Sequence, residues 1–290
     1  MQKKNYTVAG HHITIEAIDI EIEDLLPSFK PFESEDASGP LFTLTIDNSI
    51  QPSWRGEKIG VFPCPSAKFE VHRMDNGAYQ ILVMDDNNIP CAFLQGDAGN
   101  KHFDITTRGN ESNKRFGLNN AIMVIFTICT APHKTLLMHS SVVEHEGKAY
   151  MFLGASGRGK STHSDLWVKY IEGSTLINDD NPVLRISDDG TPVLYGSPWS
   201  GKRPIYKNVH YPVGGMTAIE QENENRIRKE PIPTAFGILL CSCSTMKFDK
   251  KIHLDICATI TDILRTTAVH TLSCRPDREA AELSHSTLKQ

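Results

Sequence analysis

Long hydrophobic runs are missing from this sequence. The longest apolar stretches, such as residues 121–128, fall far short of the about 20 residues that a membrane-spanning helix needs, so no membrane partner is expected. The opening Met1-Gln2-Lys3-Lys4-Asn5 is not followed by an apolar core, so no secretory signal is expected either. Excess positive charge is also lacking. The formal net charge is −5, which removes any general attraction to nucleic acid. An anionic ligand must therefore be held by local groups. Cysteine is present seven times, an odd number without framework spacing, which points to free thiols in a reducing cytoplasm. Cys241-x-Cys243 has no matching Cys or His pair nearby in the sequence, so no structural metal is expected there. There is no internal repeat and no low-complexity segment. With 290 residues, 39% hydrophobic and 22% charged, the chain reads as globular, with one large domain or two smaller ones.

What the sequence does contain is a glycine-rich loop. Gly154-Ala155-Ser156-Gly157-Arg158-Gly159-Lys160-Ser161 fits G-x-x-x-x-G-K-[ST], the phosphate-binding P-loop pattern. Residues 150–153 before it read as a short buried strand, and residues 162–171 after it as a helix. Glycines let the backbone turn tightly so that successive N–H groups face a polyphosphate. The positive end of the following helix adds to that field. The expected nucleotide-binding set runs from Gly154 through Ser161 to Thr162. Lys160 would reach the β- and γ-phosphates, and Ser161 would offer its hydroxyl to Mg²⁺. ATP and Mg²⁺ are the expected cofactors, although nothing in the motif separates ATP from GTP.

Either side of this loop the chain changes character. Residues 1–115 read as a β-rich accessory domain of short antiparallel strands at 13–15, 18–22, 41–46, 68–73, 78–84, 91–94 and 102–106. The phase slips at Ala17-Ile18, which predicts a bulge or break. Asp75-Asn76-Gly77 marks a hairpin. Asp85-Asp86-Asn87-Asn88 reads as a hairpin tip, because it lacks the glycine and distal glutamate of a calcium loop. Residues 116–135 contain a buried linking helix, with Gly117 near its start and Pro132 at its end. Residues 136–290 form the α/β nucleotide-binding domain. Within it, 137–143 is predicted as one strand, 175–178 as another, and Pro276 as a first-turn residue of the last helix.

Asp179-Asp180 is the second informative pair. A nucleotide-dependent kinase needs a carboxylate near the loop hydroxyl to support Mg²⁺, and an acceptor for the proton of the attacking group. In an extended strand two adjacent carboxylates point opposite ways, so the two jobs divide between them. Asp179 lies only 19 residues after Lys160, room for one helix and one short strand.

That short interval with doubled acids resembles the HPr kinase/phosphorylase and phosphoenolpyruvate carboxykinase group. Met138-His139-Ser140-Ser141-Val142-Val143 is similar to the His-Ala-Ser-type segment of HPr kinases. Gly154 to Ser161, including Ser156, resembles their G-x-S-G-x-G-K-S loop, and Leu176-Ile177-Asn178-Asp179-Asp180 their strand ending in paired acids. The resemblance covers residues 136–186. It implies an α/β fold, α+β overall, with a carboxykinase-like P-loop kinase core behind the β-rich N-terminal domain. It also implies phosphoryl transfer from ATP to a hydroxyl. In that reading Asp179 activates the acceptor, Asp180 supports the metal with Ser161, and His139 sits by the phosphates with Lys160. The segment by which bacterial HPr enzymes bind their protein substrate is absent, so the expected acceptor is a small molecule or peptide rather than HPr. The arginines that grip a dicarboxylate in the carboxykinases are not found either. Further cations for the transferring group would come from Arg158, Lys202, Arg203, Arg226 and Arg228. Trp199 would be an apolar wall on a loop over residues 197–203. Two other readings stay open: a nucleotide-binding regulatory or assembly protein without efficient turnover, and a carboxykinase-type enzyme. A homo-oligomer is compatible with the sequence.

Overall fold

The computed structural model describes all residues except Ala37, Pro65, Ser66, Lys202 and Gln290. It is a mixed α+β protein with two mixed sheets. The chain divides into Met1–Cys129 and Thr130–Gln290. Among the described residues no helix is long and apolar enough to cross a membrane.

In the first unit, alternating apolar residues build β1 (Gln2–Val8), β2 (His11–Ala17), β3 (Phe42–Ile46), β4 (Glu57–Pro63), β5 (Lys68–Arg73), β6 (Tyr79–Met84), β7 (Pro90–Gly96) and β8 (His102–Thr107). They form one sheet in the order β1-β2-β3-β8-β7-β6-β5-β4. The expectation of a purely antiparallel sheet fails at two places, since β3 runs parallel to both β2 and β8. Parallel neighbours need a long crossover. Residues 18–41 supply the first one, which includes α1 (Ile22–Leu25). The strand predicted at 18–22 does not form. Asp19 turns to φ 55°, and the chain leaves the sheet where the apolar phase slips.

The apolar face of this sheet, with Ile13, Ile15, Phe42, Leu44, Phe103 and Ile105 buried, lies against α2 (Glu111–Thr130). The helix approaches β7 closely at Gly117. A Cβ there would fall 2.6 Å from the Cys91 carbonyl carbon and 2.9 Å from the Ala92 methyl. This helix, expected as a linker over 116–135, begins earlier and lies almost wholly within the first unit. Gly117→Val should destabilise that unit by about 2–3 kcal/mol, because backbone rather than a flexible side chain would have to move. Chemical denaturation checks this, and a wild-type midpoint would show that the approach is not tight.

The second unit contains β9 (Thr135–Leu137), β10 (Ser140–His145), β11 (Lys148–Leu153), α3 (Lys160–Tyr170), β12 (Thr175–Asp180), β13 (Val183–Ile186), β14 (Pro192–Tyr195), β15 (His210–Gln221), β16 (Arg226–Lys229), α4 (Ile232–Cys241), α5 (Lys250–Thr266), β17 (Val269–Cys274) and α6 (Arg278–Leu288). The long β15 serves two neighbourhoods. Its first residues pair antiparallel with β14, and its later ones pair parallel with β11 and β17. One flank therefore reads β12-β10-β11-β15-β17-β16, with the parallel trio β11, β15 and β17 at its centre. Pro276 stands just before the cap of α6 rather than in its first turn. Asp277 is the cap, its carboxylate accepting from Ala280 N–H at 3.0 Å.

Between this flank and helices α3 and α6 lies a core of Val143, Tyr150, Phe152, Trp167 and Leu272. Ser284 of α6 links the two helices. Its hydroxyl donates to the Ala281 carbonyl at 3.0 Å, so it accepts from Trp167 Nε1 (2.8 Å) and from His163 Nε2 (3.0 Å). A hydroxyl has one proton to give. His163 is therefore the neutral Nε2–H tautomer, with Nδ1 buried and unpartnered. Burial pushes its pKa down to about 4. The unfolded chain takes up this proton near pH 6.5 and the folded chain only near 4. The unit should thus lose about 3 kcal/mol as pH falls through that window. His163→Gln should flatten this limb of the stability–pH curve. An unchanged limb would place the pH sensitivity elsewhere.

Candidate active site

The strand predicted at 137–143 is interrupted, and the interruption makes the site. Between β9 and β10 the chain leaves the ladder at Met138-His139. His139 N–H bonds the Ser242 carbonyl at 2.6 Å, and Met138 bridges to Cys243. This directs the His139 ring toward the glycine-rich loop. The loop runs from β11 into α3. Gly154, Gly157 and Gly159 adopt φ of 141°, 80° and 98°, a region that costs other residues strain. Gly159 caps α3 without a side-chain bond, and no acid occupies the first turn. The helix N-terminus thus has no side-chain cap and no acid of its own in the first turn to meet its positive end.

Lys160 is buried, at 8% exposure. Its ammonium donates to the loop's own Gly154 carbonyl (2.8 Å) and Ala155 carbonyl (3.3 Å), and to His139 Nε2 (3.1 Å). An ammonium only donates, so His139 accepts at Nε2. It therefore carries its proton on Nδ1, which donates to Asp180 Oδ1 at 2.9 Å. Burial pushes the Lys160 pKa down, with the Asp180 and Asp179 charges working against it. Asp180 itself sits at φ 137°, strained backbone for a residue with a Cβ.

Asp179 faces the other way, onto α3. Ser161 Oγ donates to its Oδ1 at 2.8 Å, and Arg203 Nε to its Oδ2 at 2.7 Å. Arg203 also bonds Asp165. Burial acts to raise the Asp179 carboxyl, but hydrogen bonds from Arg203, Ser141 and Ser161 and the Arg203 charge outweigh it. They hold the group below the usual carboxylate range. Ser164 in turn donates to Ser141 at 2.6 Å.

The loop over 197–203 folds back on the acids. Gly201 N–H and Ser200 Oγ both donate to the Asp179 carbonyl, at 2.8 and 3.0 Å. The buried Asn178 amide holds the Trp199 carbonyl at 3.1 Å. Trp199 is only 3% exposed, so it fills the loop's interior and does not wall an open site as expected. Arg226 and Arg228 are not brought here. They lie on β16, three strand spacings or about 14 Å from β11, and they pair with Glu224, and with Glu220 and Glu230. Arg158, Ser156 and Thr162 are exposed around the loop, and Lys202 lies outside the described residues.

Sequence reasoning missed Ser141, Ser164, Asp165 and Gln221, whose amide donates to the Gly157 carbonyl at 3.2 Å. Asp165 was within reach, since it lies one helical turn after Ser161 on the same face. A cleft of about 510 Å³ opens beside the loop between Arg158, Thr162, Leu166, Ile219 and Asn223. A second cleft, of about 500 Å³, opens beside Gly154, Ala155 and α4. Comparison with protein-family models and with curated proteins finds no match to this chain.

Proposed function

We propose that the second unit is an ATP- and Mg²⁺-dependent kinase with a carboxykinase-like P-loop core, transferring a phosphoryl group to a hydroxyl of a small molecule or peptide. The observation that carries this reading is the Ser161–Asp179 bond at 2.8 Å beside an uncapped helix N-terminus. That pairing puts a hydroxyl and a carboxylate where a phosphate-bound Mg²⁺ needs them. Among the described residues no three His, Cys, Asp or Glu side chains form a metal cage. This suits Mg²⁺, which is held by one or two carboxylates with substrate phosphates and water. When bound, Mg²⁺ offsets charge on the transferring group.

The chain's own groups divide the remaining work. The loop's N–H groups and Lys160 hold the phosphates. For Lys160 this means giving up the Gly154 and Ala155 carbonyls. Asp179, tied to Ser161, belongs to the metal side. Asp180, on the opposite strand face and hydrogen-bonded to His139, takes the proton of the attacking hydroxyl as the new P–O bond forms and the bond to ADP breaks. This keeps the division of labour that the resemblance implies and reverses the assignment of the two aspartates expected from the sequence. The cleft between Arg158 and Leu166 has the size of a nucleoside.

The test is incubation with γ-labelled ATP and pools of hydroxyl-bearing metabolites and peptides. A labelled acceptor should form with the native chain and not with Asp180→Asn. ATP binding without transfer to any pool would count against a kinase.

A further inference from the structure

In the first unit the sheet face opposite α2 is polar, and the segment over 47–56 crosses it. Ala92 faces the helix, so Phe93 and Gln95 alternate onto this other face. Polar bonds hold the crossing segment, together with Trp54, which stacks on the His72 ring at 3.7 Å between centroids and meets one side of the Phe93 ring edge-on at 5.0 Å. Asn48 Oδ1 accepts from Thr107 N–H at 2.7 Å, and Arg108 donates to the Ile50 carbonyl at 3.1 Å. Gln80, fully buried, donates to the Ser53 carbonyl at 2.9 Å and accepts from Arg55 N–H at 2.8 Å. Under the segment remains a cavity of about 190 Å³, lined by Ser53, Arg55, Phe93, Gln95, Asp104 and Thr106. That is room for about six water molecules or one small amino acid.

Three groups in it are oriented toward a ligand. The first is Gln95. Two backbone partners fix which end of the Gln80 amide is nitrogen, and its remaining N–H goes to Gln95 Oε1 at 2.9 Å. The Gln95 carbonyl is thereby occupied, and its NH₂ is left to the cavity. The second is Thr106, 1% exposed, whose hydroxyl is buried with no partner. An unmet buried hydroxyl costs about 1–3 kcal/mol unless something fills the gap. The third is a pair of opposite charges. Asp104 and Arg55 line the same cavity, yet among the described residues neither enters an ion pair. Partial burial and the Asp47 charge raise the Asp104 carboxyl, a condition that a cation relieves.

We infer that this cavity binds a small zwitterion, a free α-amino acid. Its ammonium lies against Asp104 and Thr106, its carboxylate against Arg55 and the Gln95 NH₂, and its side chain on the Phe93 ring. One charge of each sign, unpaired across a cavity of this volume, matches the two ends of such a molecule. The residues that line this cavity all belong to the first unit, and the inference does not depend on the kinase reading.

The experiment is thermal unfolding and calorimetric titration of the full chain with each common L-amino acid at about 10 mM. At least one should raise the unfolding temperature by several degrees and bind measurably. Its N-acetyl and its carboxamide derivatives should each bind at least about tenfold more weakly. Asp104→Asn and Arg55→Gln, both at exposed positions, should each lose that binding with the fold intact. Thr106→Val should weaken binding while raising the stability of the ligand-free chain, which shows that it folds. Silence from every amino acid overturns the inference. So does binding that survives both charge-removing variants, or binding of uncharged sugars or polyols with amino acids inactive.

Discussion

Lys160→Met should lower phosphoryl transfer by about 1,000-fold or more while the chain stays folded. Among the described residues the ammonium is the one buried cation at the mouth of the loop, and its partners are two loop carbonyls and His139. Methionine keeps an unbranched side chain of similar length, so the packing of the stem survives. The two carbonyls belong to a loop open to water at Ala155, so their lost bonds are replaced by solvent at a cost of about 1 kcal/mol each at most. Removing a charge that burial already disfavours offsets part of that cost. Stability should therefore change little and turnover greatly. Single-turnover transfer of labelled phosphate, read beside the unfolding midpoint, separates the two. A rate within about tenfold of the native chain would mean that the loop does not hold the phosphates through Lys160.

The contrast between what was legible and what was not has a physical source. The glycine-rich loop could be read because its parts are consecutive: β11, three glycines with positive φ, and the start of α3 all lie within a dozen residues. Asp179 and Asp180 were legible for the same reason, as the end of the next strand. Which of them faces α3 was not, because that depends on the register of β12 against β10, where Ser141 pairs with Asp179 and Ser140 with Asp180. Arg203 could be named only as one cation among several. The loop that carries it has no period, and its partner Asp179 lies on another element. In the first unit β4 escaped because Ile59, Gly60, Val61 and Phe62 run without polar residues between them and offer no alternation to read. β1, Gln-Lys-Lys-Asn-Tyr-Thr-Val, escaped because its residues on the polar face outweigh Tyr6 and Val8. The parallel β2–β3–β8 arrangement could not be seen at all, since pairing direction follows from the crossover path rather than from composition.

Asp180→Asn and Asp179→Asn should fail differently. An asparagine at 180 still accepts a bond from His139 Nδ1–H, and the half-exposed Asn181 amide, which donates to the other Asp180 oxygen at 3.1 Å, can turn over to meet the new NH₂, so the His139–Lys160 arrangement stands and nucleotide affinity should stay close to native. On the proposed reading the group that takes the acceptor's proton is gone, and transfer should fall by about 100- to 10,000-fold. At 179 the loss is structural as well as chemical. The carboxylate takes Ser161 on one oxygen and Arg203 on the other. An amide can keep its oxygen on Arg203 and turn its NH₂ to Ser161, whose hydroxyl then accepts, but the negative charge facing the guanidinium is gone. Losing that charge should cost the fold about 2–3 kcal/mol. It also fixes the direction of the pH response. The Asp179 carboxyl is held below its ordinary value, so the stability it contributes is present above the unfolded pKa and is lost as pH falls through the folded one. Asp179→Asn should therefore be less stable at neutral pH and lack that part of the acid limb. Mg²⁺ dependence divides the pair again, because a variant at 179 weakens the metal side and should need several-fold more Mg²⁺ for half-maximal nucleotide binding. The reverse pattern, with a raised Mg²⁺ requirement at 180 and lost transfer at unchanged metal dependence at 179, would return the two aspartates to the assignment expected from the sequence.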